Sequence, residues 1–138
     1  MPELFHLEVV TQDHTVYSGE VTSLVAPGVE GYLGVLAHHA PLVVALQPGE
    51  LRFTGPEGVE QIYAVSGGFL QVSANQAIVL ADSAENPAEI DIERARAAVA
   101  RAEQRLREQS GDTDADRARA ALMRAVNRLH VAERYHGR

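Results

Sequence analysis

The sequence predicts an α+β protein in two parts: an N-terminal antiparallel β-sandwich over residues 1–84, then a C-terminal antiparallel two-helix hairpin over residues 85–138. Three observations lead there. Short β-prone runs separated by turn residues fill the first part, with no helical period between them. After the polar connector Asp82–Glu89 the apolar spacing becomes helical. The charge changes sign at nearly the same place: through residue 89 eleven acids face one base, Arg52, whereas from Ile90 onward eleven arginines face eight acids. Opposed halves of this kind point to separate tasks, with the basic part placed to meet anions or acidic surfaces.

Taken in order, the β-prone runs are Phe5–Val10, Val16–Tyr17, Val21–Val25, Leu42–Leu46, Leu51–Phe53, Gln61–Val65, Phe69–Val72 and Ala77–Leu80. In the first of them Phe5, Leu7 and Val9 alternate with their neighbours, as a strand with one buried face requires. Turns are signalled by Gln12-Asp13-His14, Ser18-Gly19, Pro27-Gly28, Pro48-Gly49, Gly55-Pro56-Glu57-Gly58, Gly67-Gly68 and Ala74-Asn75-Gln76. Gly28, Gly31 and Gly34 read as turn residues too, because no Lys-Ser/Thr pair or helix follows to make a phosphate loop.

In the second part Ile92, Ala95, Val99, Ala102 and Leu106 form one helical stripe, and Ala118, Leu122, Ala125, Leu129 and Ala132 a second. Asp91 and Thr113 are the expected N-caps, and Gly111 sits where a helix end favours a left-handed residue. The short break Ser110–Asp114 makes the helices antiparallel neighbours. Alanine buries little area, so the seam is weak and the hairpin is a candidate mobile element.

Catalytic constellations are poor. The chain has no cysteine, so disulfides, thiolate metal sites and a thiol nucleophile are excluded. Ser66 lies in Val-Ser-Gly-Gly, without the first glycine of a nucleophile elbow. His38 and His39 are adjacent, and on a strand they would point to opposite faces rather than share a metal. No catalytic or metal-ligating residue is expected. Nor is nucleic acid, since net charge is −7 and the basic helices hold one aromatic residue, Tyr135. No apolar run reaches the ~20 residues that cross a bilayer.

Arginine is the informative residue. Arg94, Arg101 and Arg105 share one face of the first helix, and Arg124 and Arg128 one face of the second. Folding about Gly111-Asp112 sets Arg94 level with Arg128 and Arg101 level with Arg124, so four guanidinium groups can converge on one anion, which Arg grips bidentately when it is a phosphate. The competing reading is a solvated face paired internally, Arg96 with Glu93, Arg107 with Glu103 and Arg119 with Asp116.

These elements together resemble the epsilon subunit of F-type ATP synthases nearly end to end. The likeness is carried by Val9-Val10-Thr11, by Gly31-Tyr32-Leu33-Gly34-Val35-Leu36 followed by His39-Ala40-Pro41-Leu42, by Ser66-Gly67-Gly68-Phe69-Leu70 and by Ala125-Val126-Asn127-Arg128-Leu129. Ile90-Asp91-Ile92-Glu93-Arg94-Ala95 is similar to the bacterial nucleotide motif I/L-D-x-x-R-A. Where the family often has Pro-Gly-His, this chain reads Ala37-His38-His39.

The resemblance implies a noncatalytic central-stalk subunit of a proton-translocating ATP synthase, peripheral at the cytoplasmic face of the cell membrane. It implies a sandwich that binds the gamma subunit and rests on the membrane rotor ring of c subunits, with Glu30 nearest the ring. It implies ATP as a regulatory ligand, its nucleoside meeting Glu85, Ile90, Asp91 and Ala95 and its phosphates Arg94, Arg101, Arg124 and Arg128. When ATP is scarce the hairpin would extend toward the catalytic beta and alpha subunits and inhibit ATP hydrolysis. A static structural adaptor that senses no nucleotide, and an enzyme with a pocket in the sandwich, are the alternative readings.

Overall fold

The computed structural model describes residues 2–108 and 111–135. The chain divides into two compact units, one through Glu85 and one from Asn86. The boundary expected after residue 84 falls one residue later because Ala84 and Glu85 pair with a sandwich strand.

The first unit is a ten-stranded sheet. Its strands are β1 (Phe5–Val10), β2 (Thr15–Val21), β3 (Ser23–Gly28), β4 (Gly31–Val35), β5 (Leu42–Leu46), β6 (Gly49–Thr54), β7 (Glu60–Val65), β8 (Gly68–Ser73), β9 (Gln76–Ala81) and β10 (Ala84–Glu85). They run in the order β10-β7-β6-β3-β5-β8-β9-β1-β2, with β4 also paired to β3. β3 meets β5 at one pair, Gly28 with Leu46, and this narrow corner joins the two layers. Leu24, Leu51, Phe53 and Val65 from one layer and Leu7, Val9, Leu70 and Val79 from the other form a single core. At its centre the Phe53 ring lies 4.5 Å from that of Tyr17 and 5.9 Å from that of Tyr63.

Several expectations need correction. Pairing is antiparallel except between β1 and β9, which run parallel, because β1 is inserted between β9 and its hairpin partner β2. The run Val21–Val25 is broken at Thr22, where the chain leaves β2 and enters β3. Gly28 and Gly34 lie in strands rather than turns. Glycine is needed at 28 because a Cβ would come 2.8 Å from the Gly31 carbonyl oxygen and 3.0 Å from Leu33. His38 and His39 lie beyond β4, not on a strand. His38 takes a left-handed φ of 63°, its amide donates to Asn75 Oδ1 at 2.7 Å and its ring meets the Glu3 carboxylate at 2.7 Å.

The second unit opens with a 3-10 turn, Pro87–Glu89, capped by the Asn86 side chain, which accepts the Ala88 amide at 2.9 Å. α1 (Ile92–Glu108) and α2 (Asp112–Tyr135) then pack on each other, and α2 also meets the 3-10 turn. Of the two stripes Ala95, Ala102, Ala118 and Ala132 are buried, while Ile92, Val99, Leu106, Leu122, Ala125 and Leu129 are half-buried. The second helix starts earlier than expected. The Gly111 carbonyl accepts the Ala115 amide at 2.8 Å, so Gly111 holds the cap position and Thr113 falls inside the first turn; the Thr113 side chain and Ser110 lie outside the described residues.

Gly68 is the least replaceable position of the sandwich, with φ 135° and a Cβ that would run into the Leu80 carbonyl oxygen. Gly68→Ala is expected to prevent the sandwich from accumulating in folded form. Phe53→Ala should fold but lose about 3–5 kcal/mol, read from the midpoint of urea unfolding; a loss under 1 kcal/mol would remove Phe53 from the centre of the core.

Candidate anion site and candidate docking face

α1 begins at a defined point. The Asp91 carboxylate accepts the Arg94 amide at 3.1 Å and the Asp91 carbonyl accepts the Ala95 amide at 2.9 Å, the geometry of an N-cap followed by the first helical bond. The cap fixes where Arg94 leaves the helix.

An antiparallel pair of helices has an approximate two-fold axis perpendicular to the plane of the two axes. Positions that directly follow seam residues therefore share one flank, and positions that directly precede them share the other. One contact establishes which is which. Arg96 follows Ala95, Glu133 follows Ala132, and the two meet at 3.1 Å across the helices. Arg96 also pairs with Glu93 at 2.8 Å; donation to Glu133 foremost, and then the charge on Glu93, raise its guanidinium above the ordinary value.

The opposite flank carries the residues one step before the seam. Arg94, Arg101 and Arg105 precede Ala95, Ala102 and Leu106; Arg117, Arg124 and Arg128 precede Ala118, Ala125 and Leu129. All but Arg128, which is half-buried and partnered, are exposed, and among the described residues they make no ion pair. Arg117 was not singled out by sequence, although it stands seven residues before Arg124 and one before Ala118, the same relation to the seam. The mixed-charge flank holds the internal pairs. Arg119 meets Asp116 there, and Arg107 donates to Gln104 at 3.0 Å rather than to Glu103.

The remaining residues assigned to a nucleoside are placed as follows. Ile90 and Ala95 are each only 1% exposed and Asp91 is exposed. Glu85 is half-buried in β10, opposite Ala64 of β7, and so belongs to the sandwich unit; the other seven belong to the helical unit.

In the sandwich, Glu30 is exposed at the turn between β3 and β4, where Gly31 has φ 133°. The turn is anchored from behind. The Glu50 amide donates to the Tyr32 hydroxyl at 2.9 Å, which Gly49 permits because a Cβ there would lie 2.8 Å from that hydroxyl. Residues 28–33 and Val43, Val44 and Ala45 line a depression of about 400 Å³ beside Glu30. From there an apolar row crosses the outer face of four strands, Ala45 opposite Phe69, Phe69 opposite Leu80, and Leu80 opposite Val10. Val43 is 71% exposed, Phe69 56% and Leu80 52%. A contiguous apolar face of this kind marks an interaction surface.

Among the described residues no helix is long and apolar enough to cross a membrane, and no group of His, Asp and Glu could hold a metal ion.

Comparison with known proteins accounts for both units. Residues 4–87 match the ATP synthase Delta/Epsilon chain, beta-sandwich domain, and residues 88–133 match the ATP synthase Delta/Epsilon chain, long alpha-helix domain. The ATP synthase epsilon chain of Moorella thermoacetica is 50% identical over 104 residues, 75% of this chain and 78% of that one. The ATP synthase epsilon chain of Syntrophomonas wolfei is 50% identical over 106 residues, 77% of each. Among solved structures, a chain of the Euglena gracilis mitochondrial ATP synthase, in an assembly of OSCP, F1 and c-ring, superimposes with a TM-score of 0.80 at 25% identity, covering 98% of this chain and 84% of that one. With both units matched in order and half the aligned residues identical, the chain belongs to the ATP synthase delta/epsilon family.

Proposed function

We propose that the chain is the noncatalytic epsilon subunit in the central stalk of a proton-translocating ATP synthase, peripheral at the cytoplasmic face of the cell membrane, and that its hairpin restrains ATP hydrolysis under the control of bound ATP. The observation that carries the regulatory half is the flank of Arg94, Arg101 and Arg124, three guanidinium groups that make no ion pair among the described residues. Like charges held along one flank repel, and a polyanion that bridges them removes the repulsion while gaining charge-assisted hydrogen bonds. ATP favours the packed hairpin only to the extent that it binds that state better than an extended one. An alanine seam keeps the two states close in free energy. Extended, the hairpin presents the same arginines to acidic surfaces of the catalytic beta and alpha subunits.

For the sandwich, the row Ala45, Phe69, Leu80 and Val10 is the proposed seat of the gamma subunit, and the Glu30 turn the proposed contact with the c-subunit ring. Phe69 and Leu80, neighbours on adjacent strands and each more than half exposed, are costly to leave open unless a partner covers them.

Arg101→Ala and Arg124→Ala are each expected to weaken ATP binding about tenfold, the usual scale for losing a hydrogen bond to a charged group, whereas Arg96→Ala on the opposite flank should change it less than twofold. Titration calorimetry of the full chain decides; equal loss at Arg96 would mean that the site does not follow the flank. Phe69→Asp should leave the sandwich folded by circular dichroism and abolish co-purification with gamma, and retained gamma binding would move the seat elsewhere. Removal of residues 90–138 should preserve assembly and release ATP hydrolysis from inhibition, measured as the ATPase rate of the reconstituted complex. An unchanged rate would leave the hairpin a static adaptor.

A further inference from the structure

The outer face that carries the apolar row does not end at Ala45. It runs on into the depression of about 400 Å³ beside Glu30, and one wall of that depression is a strand edge without a neighbour. β5 pairs with β8 along its whole length, but β3 meets it only where Gly28 faces Leu46. Hydrogen bonds at this corner fix which way the peptide groups of β5 turn. The Ala45 carbonyl accepts the Val29 amide at 3.0 Å, and the Gln47 amide donates to the Pro27 carbonyl at 2.9 Å, so both residues direct these groups away from β8. Residues of an antiparallel ladder alternate in this respect. Val43, two before Ala45, therefore also turns its amide and carbonyl away from β8. At its level the chain of β3 has already passed through Glu30 into β4, and among the described residues no strand pairs with Val43 on that side.

Natural proteins blunt such edges with charge, proline or a bulge. Leu42–Leu46 has none of these: it is uncharged, and its register with β8 is unbroken. Beside the open edge the core itself comes to the surface. Leu33 and Val44 pack against the core yet are only half-buried. Gly28 next to them has no side chain to close the gap, and a Cβ there would lie 3.0 Å from Leu33 and 3.3 Å from Val44. We propose that an extended segment of the partner covering the apolar row, which on the reading given above is the gamma subunit, pairs with β5 at Val43 and sets an apolar side chain into this depression. Continuity identifies the occupant. A surface that covers Phe69 and Ala45 lies beside Val43, the next outward residue of β5, and so arrives at the open edge. Strand addition accounts for both features, because main-chain hydrogen bonds complete the edge while alternate side chains of the added strand enter a pocket.

The test uses the full chain and purified gamma subunit, and separates main-chain pairing from side-chain contact. In the free chain the Val43 amide should exchange quickly and the Val44 amide, turned to β8, slowly; on binding gamma the Val43 amide should slow by about tenfold or more. Val43→Pro removes the donor on the open side and leaves the bonds to β8, since an edge strand accepts proline where the amide faces solvent. It should weaken gamma binding roughly five- to tenfold, the scale of one lost hydrogen bond, whereas Val43→Thr keeps the amide and the shape and should stay within about twofold. Circular dichroism checks that both variants fold, and if Val43→Pro does not, exchange on the wild type decides alone. Equal affinity of the two variants, or a Val43 amide that stays fast in the complex, overturns the proposal. Protection that rises with chain concentration in the absence of gamma assigns the edge to a second copy of this chain and overturns it as well. Gamma binding that survives Phe69→Asp instead removes the proposed seat, while exchange at Val43 in that complex still decides whether the edge is used.

Discussion

Everything the hairpin presents to its surroundings depends on how closely α1 and α2 approach. Alanines at 95, 102, 118 and 132 are buried between them, and a side chain of one carbon lets two backbones come near without filling the space. Close approach fixes the rotation of each helix about its own axis, and that rotation sends one set of arginines to one flank and the acid-paired set to the other. Larger seam residues would hold the pair more strongly but would spread the flanks and part the guanidinium groups. The weakness of the seam and the alignment of the arginines therefore have a common cause.

The sandwich solves an unrelated problem. Its core is closed by aliphatic side chains from two layers around Phe53, and it leaves apolar side chains on an outer face where a solitary domain would place polar ones. A rigid body with a sticky face and a weakly joined helical pair with a charged flank are suited to different partners. That they share one chain puts both kinds of surface in fixed stoichiometry.

Much of this was legible in the sequence, and the omissions have physical reasons. Alternation at Phe5, Leu7 and Val9 gave β1, and the three-and-four spacing of Ala95, Val99 and Ala102 gave α1, because local periodicity reports burial directly. β4 was missed since Gly31 and Gly34 look like turns until the close approach of neighbouring strands is seen. The parallel pairing of β1 with β9 joins segments some seventy residues apart, beyond any local pattern. The arginine set was found from spacing, but Arg117 was passed over, and the Arg96–Glu133 pair that orients the flanks is a tertiary contact without a sequence signal. Asp91 is a clearer case: a carboxylate just before a helical stripe reads as an N-cap, and its hydrogen bond from the Arg94 amide is that cap.

The chain contains no lysine, and the flank of the hairpin whose exposed cations make no ion pair among the described residues is built from arginine. A guanidinium keeps its proton at any pH a cell reaches, so the charge on that flank is constant. A histidine or a buried lysine in the same place would have made the hairpin respond to acidity. That flank is therefore insensitive to acidity, and an anion brought to it relieves its repulsion.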